Sequence, residues 1–120
     1  MAKKILIVDD DRLNVTLIRF ALKEQHYEVE SAEDGMQGLE VVKTFKPDLI
    51  ILDVQMPRMS GFEFISEYKS FPDANGTPII MLTANENMQD VFFGEGAKDY
   101  FVKPIDMPRM LERIRACLGE

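Results

Sequence analysis

Three consecutive aspartates, Asp9, Asp10 and Asp11, leave the end of an apolar run in "ILIVDDD". A further aspartate, Asp53, closes "DLIILD", while Thr83 closes "IIMLT" and Lys103 follows "DYFV". If these runs are parallel strands of an open α/β sheet, the residues stand at carboxyl ends along one rim, where ligands of such sheets bind. Two carboxylates ~4 Å apart repel by about 4 kcal/mol at an effective dielectric near 20, so a cluster of them needs positive charge. Lys103 supplies one charge. A divalent cation supplies two, and a donor set of oxygens without nearby His or Cys suits magnesium. Because Mg²⁺ keeps waters or phosphate oxygens in its shell, a few carboxylates amount to half of a phosphoryl-binding site.

Each residue alone has a plainer reading. An Asp triplet ahead of a helix serves as an N-cap with acidic neighbours favoured by the helix dipole, and that is the role assigned to Asp11. Asp53 taken singly reads as a loop cap, Thr83 as a β-branched strand residue, and Lys103 as a solvated charge. Their joint placement at the ends of successive runs favours a site.

The elements that must position them follow from hydrophobic patterning. Short Ile- and Val-rich runs alternate five times with stretches of helical period, the pattern of a parallel sheet with crossover helices. Ile5 to Val8 reads as the first strand, and Leu13, Leu17, Phe20 and Ala21 as one face of a first helix. Val29 lies in a more polar second strand near an edge. Met36, Leu39, Val42 and Phe45 mark a second helix, closed by Pro47. "DLIILD" is a buried third strand, followed by the loop "VQMPRMSG" and a third helix around Phe64, Ile65 and Tyr68. After "FPDANGTP" turns the chain comes the fourth strand, "IIMLT". A fourth helix is expected around Met88, Val91 and Phe92, softened by Gly94. "DYFV" is the fifth strand, and Asp106 caps a last helix through Met107, Leu111, Ile114 and Leu118. The expectation is one α/β domain over residues 1–120, without an output domain in these residues.

Composition narrows the function. With 21 acidic against 14 basic residues the chain carries a net charge of −7, which repels nucleic-acid phosphates and anionic membranes. There is no apolar stretch of the ~20 residues a membrane span needs. Cys117 is the only cysteine, so no internal disulfide forms, and a cytoplasmic setting is expected. His26 is likewise solitary and reads as a surface residue.

"ILIVDDD", "PDLIILDVQMPRMSG", "PIIMLTA" and "DYFVKP" resemble, in order and spacing, the signature segments of the receiver domain of two-component response regulators, from Lys4 to about Leu118. The resemblance implies a (βα)5 flavodoxin-like fold with strand order 2-1-3-4-5 and helices on both faces. It implies that Asp53 accepts a phosphoryl group from a phosphohistidine on a sensor kinase or phosphotransfer protein, forming a transient aspartyl phosphate. By the same resemblance Asp10, Asp53 and the Gln55 backbone carbonyl ligate Mg²⁺, with Asp9 acting directly or through a water. Lys103 pairs with the phosphoryl group, the Thr83 hydroxyl bonds it, Tyr100 follows Thr83 inward as a switch, and the Lys103–Pro104 bond is cis. The implied protein is a signalling switch rather than an enzyme, with self-phosphorylation and slow autodephosphorylation. Its readout face is the fourth helix, fifth strand and last helix. Its partners are a kinase and a downstream target or fused output domain, and a phosphorylation-dependent dimer is among the implied assemblies.

Rival readings are weaker. A magnesium-dependent phosphatase of the haloacid-dehalogenase kind needs an Asp two residues after its nucleophile, where this chain has Gln55. A nucleotide or flavin binder would present glycines and hydroxyls in the first loop, which here is anionic. A degenerate receiver acting only as a scaffold would lack some of the residues present.

Overall fold

The computed structural model describes residues 2–56, 58–74, 76–84 and 97–120. Strands β1 (Lys4–Val8), β2 (Glu28–Ala32), β3 (Leu49–Asp53), β4 (Ile79–Thr83) and β5 (Asp99–Val102) form one parallel sheet in the order β2-β1-β3-β4-β5. This is the flavodoxin-like order expected, with the polar β2 at an edge. Helices α1 (Arg12–Glu24), α2 (Gly35–Phe45) and α3 (Gly61–Tyr68) follow the first three strands, and a C-terminal helix spans Met107–Cys117. The helix expected around Met88, Val91 and Phe92, with Gly94, lies outside the described residues.

The two-residue period of the strands sorts side chains into two layers. Leu6, Val8, Ile50, Leu52 and Met81 pack with Val42, Phe64, Ile65 and Tyr68 of α2 and α3. Ile5, Ile7, Leu49, Ile51, Ile80 and Leu82 pack with Ile18 and Leu22 of α1 and Met110 and Ile114 of the C-terminal helix. Helices therefore cover both faces, and the central strands are apolar throughout because neither side meets water.

Helix starts are written in polar residues. Asp11, in extended conformation, accepts from the Leu13 and Asn14 amides and so caps α1, as the sequence suggested. Asp34 caps α2 through the Gln37 amide, and Asp106 caps the C-terminal helix through that of Arg109. Ser60 and Glu63 form a reciprocal capping box on α3 that sequence reading did not pick out. α2 stops at Lys46, whose φ of 51° leaves the helical region immediately before Pro47.

One expectation is overturned. Helical spacing puts Leu13, Leu17 and Phe20 on one apolar face of α1, and such a face ordinarily packs inward, yet they are 70%, 56% and 67% exposed. The buried contacts come from Ile18 and Leu22, each fully inaccessible. α1 carries two apolar stripes, and the orientation set by its Asp11 cap and the β1 crossover turns the Ile18 stripe onto the sheet. Truncating Ile18 or Leu22 removes core contacts worth about 2–5 kcal/mol, whereas Leu17 and Phe20 sit where substitutions change stability by about 0.5 kcal/mol. Met36 of α2 is likewise on the outside, at 57% exposure.

Candidate functional site

β1 and β3 are adjacent, with Val8 opposite Leu52 in register, so the residues that follow them emerge side by side at the carboxyl rim. Oxygens of Asp9, Asp10 and Asp53 all lie within 4.8 Å of one another. The pieces differ in environment: Asp9 and Asp53 are buried, at 2% and 5% exposure, and Asp10 is exposed. The cluster thus joins two buried carboxylates to one that faces water.

The Asp9 carboxylate is held from several directions. Its Oδ1 accepts from the Asp11 amide at 3.0 Å, and its Oδ2 accepts from Asn14 Nδ2 at 2.8 Å. Asn14 in the first turn of α1 was not identified from sequence, because a polar residue near a helix start signals nothing until the strand end is seen beneath it. Lys103 Nζ reaches both inner carboxylates, 3.5 Å from Asp9 Oδ2 and 3.6 Å from Asp53 Oδ1. The Lys103–Pro104 peptide is cis, as the resemblance implied.

Burial and the neighbouring Asp9 charge push the Asp53 carboxyl up to about 6 from 3.8, against the opposing pull of Lys103 and the Gln55 backbone amide. One lysine thus leaves the cluster short of positive charge. The donors are oxygens of three carboxylates, the chemistry of a hard divalent cation, and the residues fit magnesium.

The floor of the site is fixed by close packing. Gly61, at the start of α3, donates its amide to the Val54 carbonyl at 2.9 Å. A Cβ there would fall 2.8 Å from the Asp53 carbonyl oxygen and 3.1 Å from the Val54 Cα, so only glycine lets α3 begin so near the end of β3. Met56 and Met59 of the intervening loop pack against the α2–α3 layer of the core, as flexible thioether side chains fill irregular gaps.

Thr83 ends β4 and is buried at 3% exposure. Met81 pairs with Tyr100 and Thr83 with Val102, so Tyr100 shares the sheet face of Met81 and Thr83. Tyr100 is half-buried against the α2–α3 layer. His26 is exposed and remote from the cluster, with φ 67° at the turn into β2.

Comparison with known proteins agrees with this geometry. The family model for the response regulator receiver domain matches residues 5–115. Response regulator MprA of Mycobacterium ulcerans (strain Agy99) is 39% identical over 120 residues, 98% of this chain and 51% of that protein. The chain spans about half the length of the curated relatives it matches. Among solved structures, chemotaxis response regulator CheY4 of Vibrio cholerae has a TM-score of 0.92 at 32% identity, covering 98% of this chain and 100% of that one. Response regulator TrrA of Thermotoga maritima, solved in complex with Mg²⁺–BeF, has a TM-score of 0.86 at 32% identity, covering 97% of this chain and 99% of that one.

The chain belongs to the response regulator receiver domain family. Members of that family are phosphoacceptors in two-component systems and work as signalling switches. Among the described residues no helix is long and apolar enough to cross a membrane.

Proposed function

We propose that residues 1–120 act as a phosphoacceptor module in which Asp53 takes a phosphoryl group from a phosphohistidine of a sensor kinase or phosphotransfer protein. A carboxylate oxygen of Asp53 attacks phosphorus as the bond from phosphorus to the imidazole nitrogen breaks, and the imidazole leaves with that electron pair. Asp10, Asp53 and the Gln55 carbonyl would hold Mg²⁺, with Asp9 acting directly or through a water. When bound, the ion supplies positive charge against the carboxylates and the incoming phosphoryl oxygens. Lys103, already beside Asp53, moves its ammonium onto the phosphoryl oxygens. Slow attack of water on phosphorus breaks the bond from phosphorus to the Asp53 oxygen, releasing inorganic phosphate and restoring the carboxylate. The observation that carries this reading is the convergence of the Asp9, Asp10 and Asp53 oxygens with Lys103 at one strand rim.

Signalling would begin with the new dianionic group, which draws the Thr83 hydroxyl toward it as acceptor oxygens replace a carboxylate. Tyr100, on the same sheet face, would follow, changing the surface of β5 and the C-terminal helix together with the fourth helix expected in the intervening chain. The module would operate in the cytoplasm and pass its state to a downstream protein or output domain, with a phosphorylation-dependent dimer as one form of response.

Incubation with acetyl phosphate and Mg²⁺, followed by intact mass measurement, tests the assignment. The expected result is one added phosphoryl group that requires the metal and is lost in Asp53→Asn. Addition that persists in Asp53→Asn would place the acceptor elsewhere, and no addition to the wild-type protein would remove the phosphoacceptor reading.

A further inference from the structure

The loop from Val54 to Ser60 carries Gln55 into the site, and its far end is fastened to a different part of the molecule. Arg58 donates to Asp34 Oδ2, forming an ion pair with the residue whose other oxygen, Oδ1, caps α2 through the Gln37 amide. These two contacts, the Gln37 amide first, hold the Asp34 carboxyl below its usual range. Arg58 reaches this partner from a left-handed backbone, φ 69°, which side chains other than glycine adopt only when the surroundings require it. Next to it, Met59 lies over Gly35, where a Cβ would come within 2.6 Å of the sulphur. The loop is therefore pinned at both ends: to Asp53 by the Gln55 amide, and to the first turn of α2 by Arg58 and Met59.

We propose that Arg58 is a positioning residue for the metal and phosphoryl site, acting through its ion pair with Asp34 to set where the Gln55 carbonyl stands. The proposal rests on the phosphoacceptor reading above. Nothing in the chemistry requires Arg58 itself, whose side chain is 71% exposed and pairs with Asp34 at the start of α2. Its leverage is mechanical, because a tether to a capped helix restricts a loop whose backbone supplies a ligand. Contacts of this supporting kind typically cost tenfold or more in metal affinity when removed, roughly tenfold being the loss expected here.

Arg58→Gly separates this role from plain stability. Glycine relieves the left-handed backbone while deleting the ion pair, so the variant should melt no lower than wild type. Followed by the Gln55 amide resonance in a Mg²⁺ titration, it should nonetheless bind the ion roughly tenfold more weakly. Asp34→Asn keeps an N-cap and removes the charge; it should weaken binding to a similar extent, and the double variant no further. Arg58→Lys should recover part of the affinity. Magnesium affinity in Arg58→Gly within twofold of wild type, or additive losses in the double variant, would overturn the proposal while leaving the phosphoacceptor reading intact. A wild-type protein that takes up no magnesium would overturn both.

Discussion

In metal-free buffer at pH 8, Asp53→Asn will melt above the wild-type protein by roughly 5 to 10 °C. The cause is the carboxyl raised to about 6 by burial and the Asp9 charge, against 3.8 in the unfolded chain. A raised carboxyl contributes stability below its unfolded value and loses that contribution as pH climbs through its folded value. Taken at face value, the gap between those values corresponds to roughly 3 kcal/mol, which screening at the water-facing rim reduces to about 2 kcal/mol. The difference between variant and wild type should therefore be small near pH 4, grow between pH ~4 and ~6, and stay level above that window. Added Mg²⁺ should raise the wild-type melting point toward that of the variant. Thermal melts across that range, with and without the ion, measure both effects. An Asp53→Asn protein that melts lower than wild type at pH 8 without metal would mean that the cluster does not repel itself.

The second large effect concerns Lys103, which lies within 3.6 Å of Asp53 and 3.5 Å of Asp9. Lys103→Met keeps an unbranched side chain only one atom shorter and removes its charge. Loss of one preorganised charge from a site that stabilises a phosphoryl group lowers the rate by about 10²- to 10³-fold, and phosphorylation by acetyl phosphate at saturating Mg²⁺ should fall by that amount. Magnesium uptake should move the other way and tighten, since a cation competing for the same carboxylates has gone. Without metal the variant should melt lower than wild type, because Asp9 and Asp53 then face each other with no neutralising partner. Unchanged phosphorylation kinetics in Lys103→Met would exclude the lysine from the reaction.

Much of this arrangement was legible in the sequence because it is carried by strand ends. The type of residue at positions 9, 10, 53, 83 and 103 is chemically specific, and parallel strands bring their carboxyl ends to one rim whatever the helices do. The buried face of α1 was not legible in the same way. Leu13, Leu17 and Phe20 repeat at helical spacing as well as Val15, Ile18 and Leu22 do, and periodicity alone does not say which stripe meets the sheet. That choice depends on the crossover and the Asp11 cap, which are three-dimensional facts. The contacts from Asn14 to Asp9 and from Arg58 to Asp34 were also hidden. The second spans 24 residues and joins two loops whose approach no local pattern announces. Gly61 gives a contrasting case, since its place in "MPRMSG" was visible but its reason, the 2.8 Å approach to the Asp53 carbonyl, was not.

The proposed function depends on carboxylates from the ends of β1 and β3 together holding one hard divalent cation. Calorimetric titration of the wild-type protein with MgCl₂ at pH 8, beside Asp10→Asn and Asp53→Asn, tests it most directly. The wild type should take up a single ion saturably, and both variants should lose that uptake. Equal uptake by all three proteins, or none by the wild type, would contradict it.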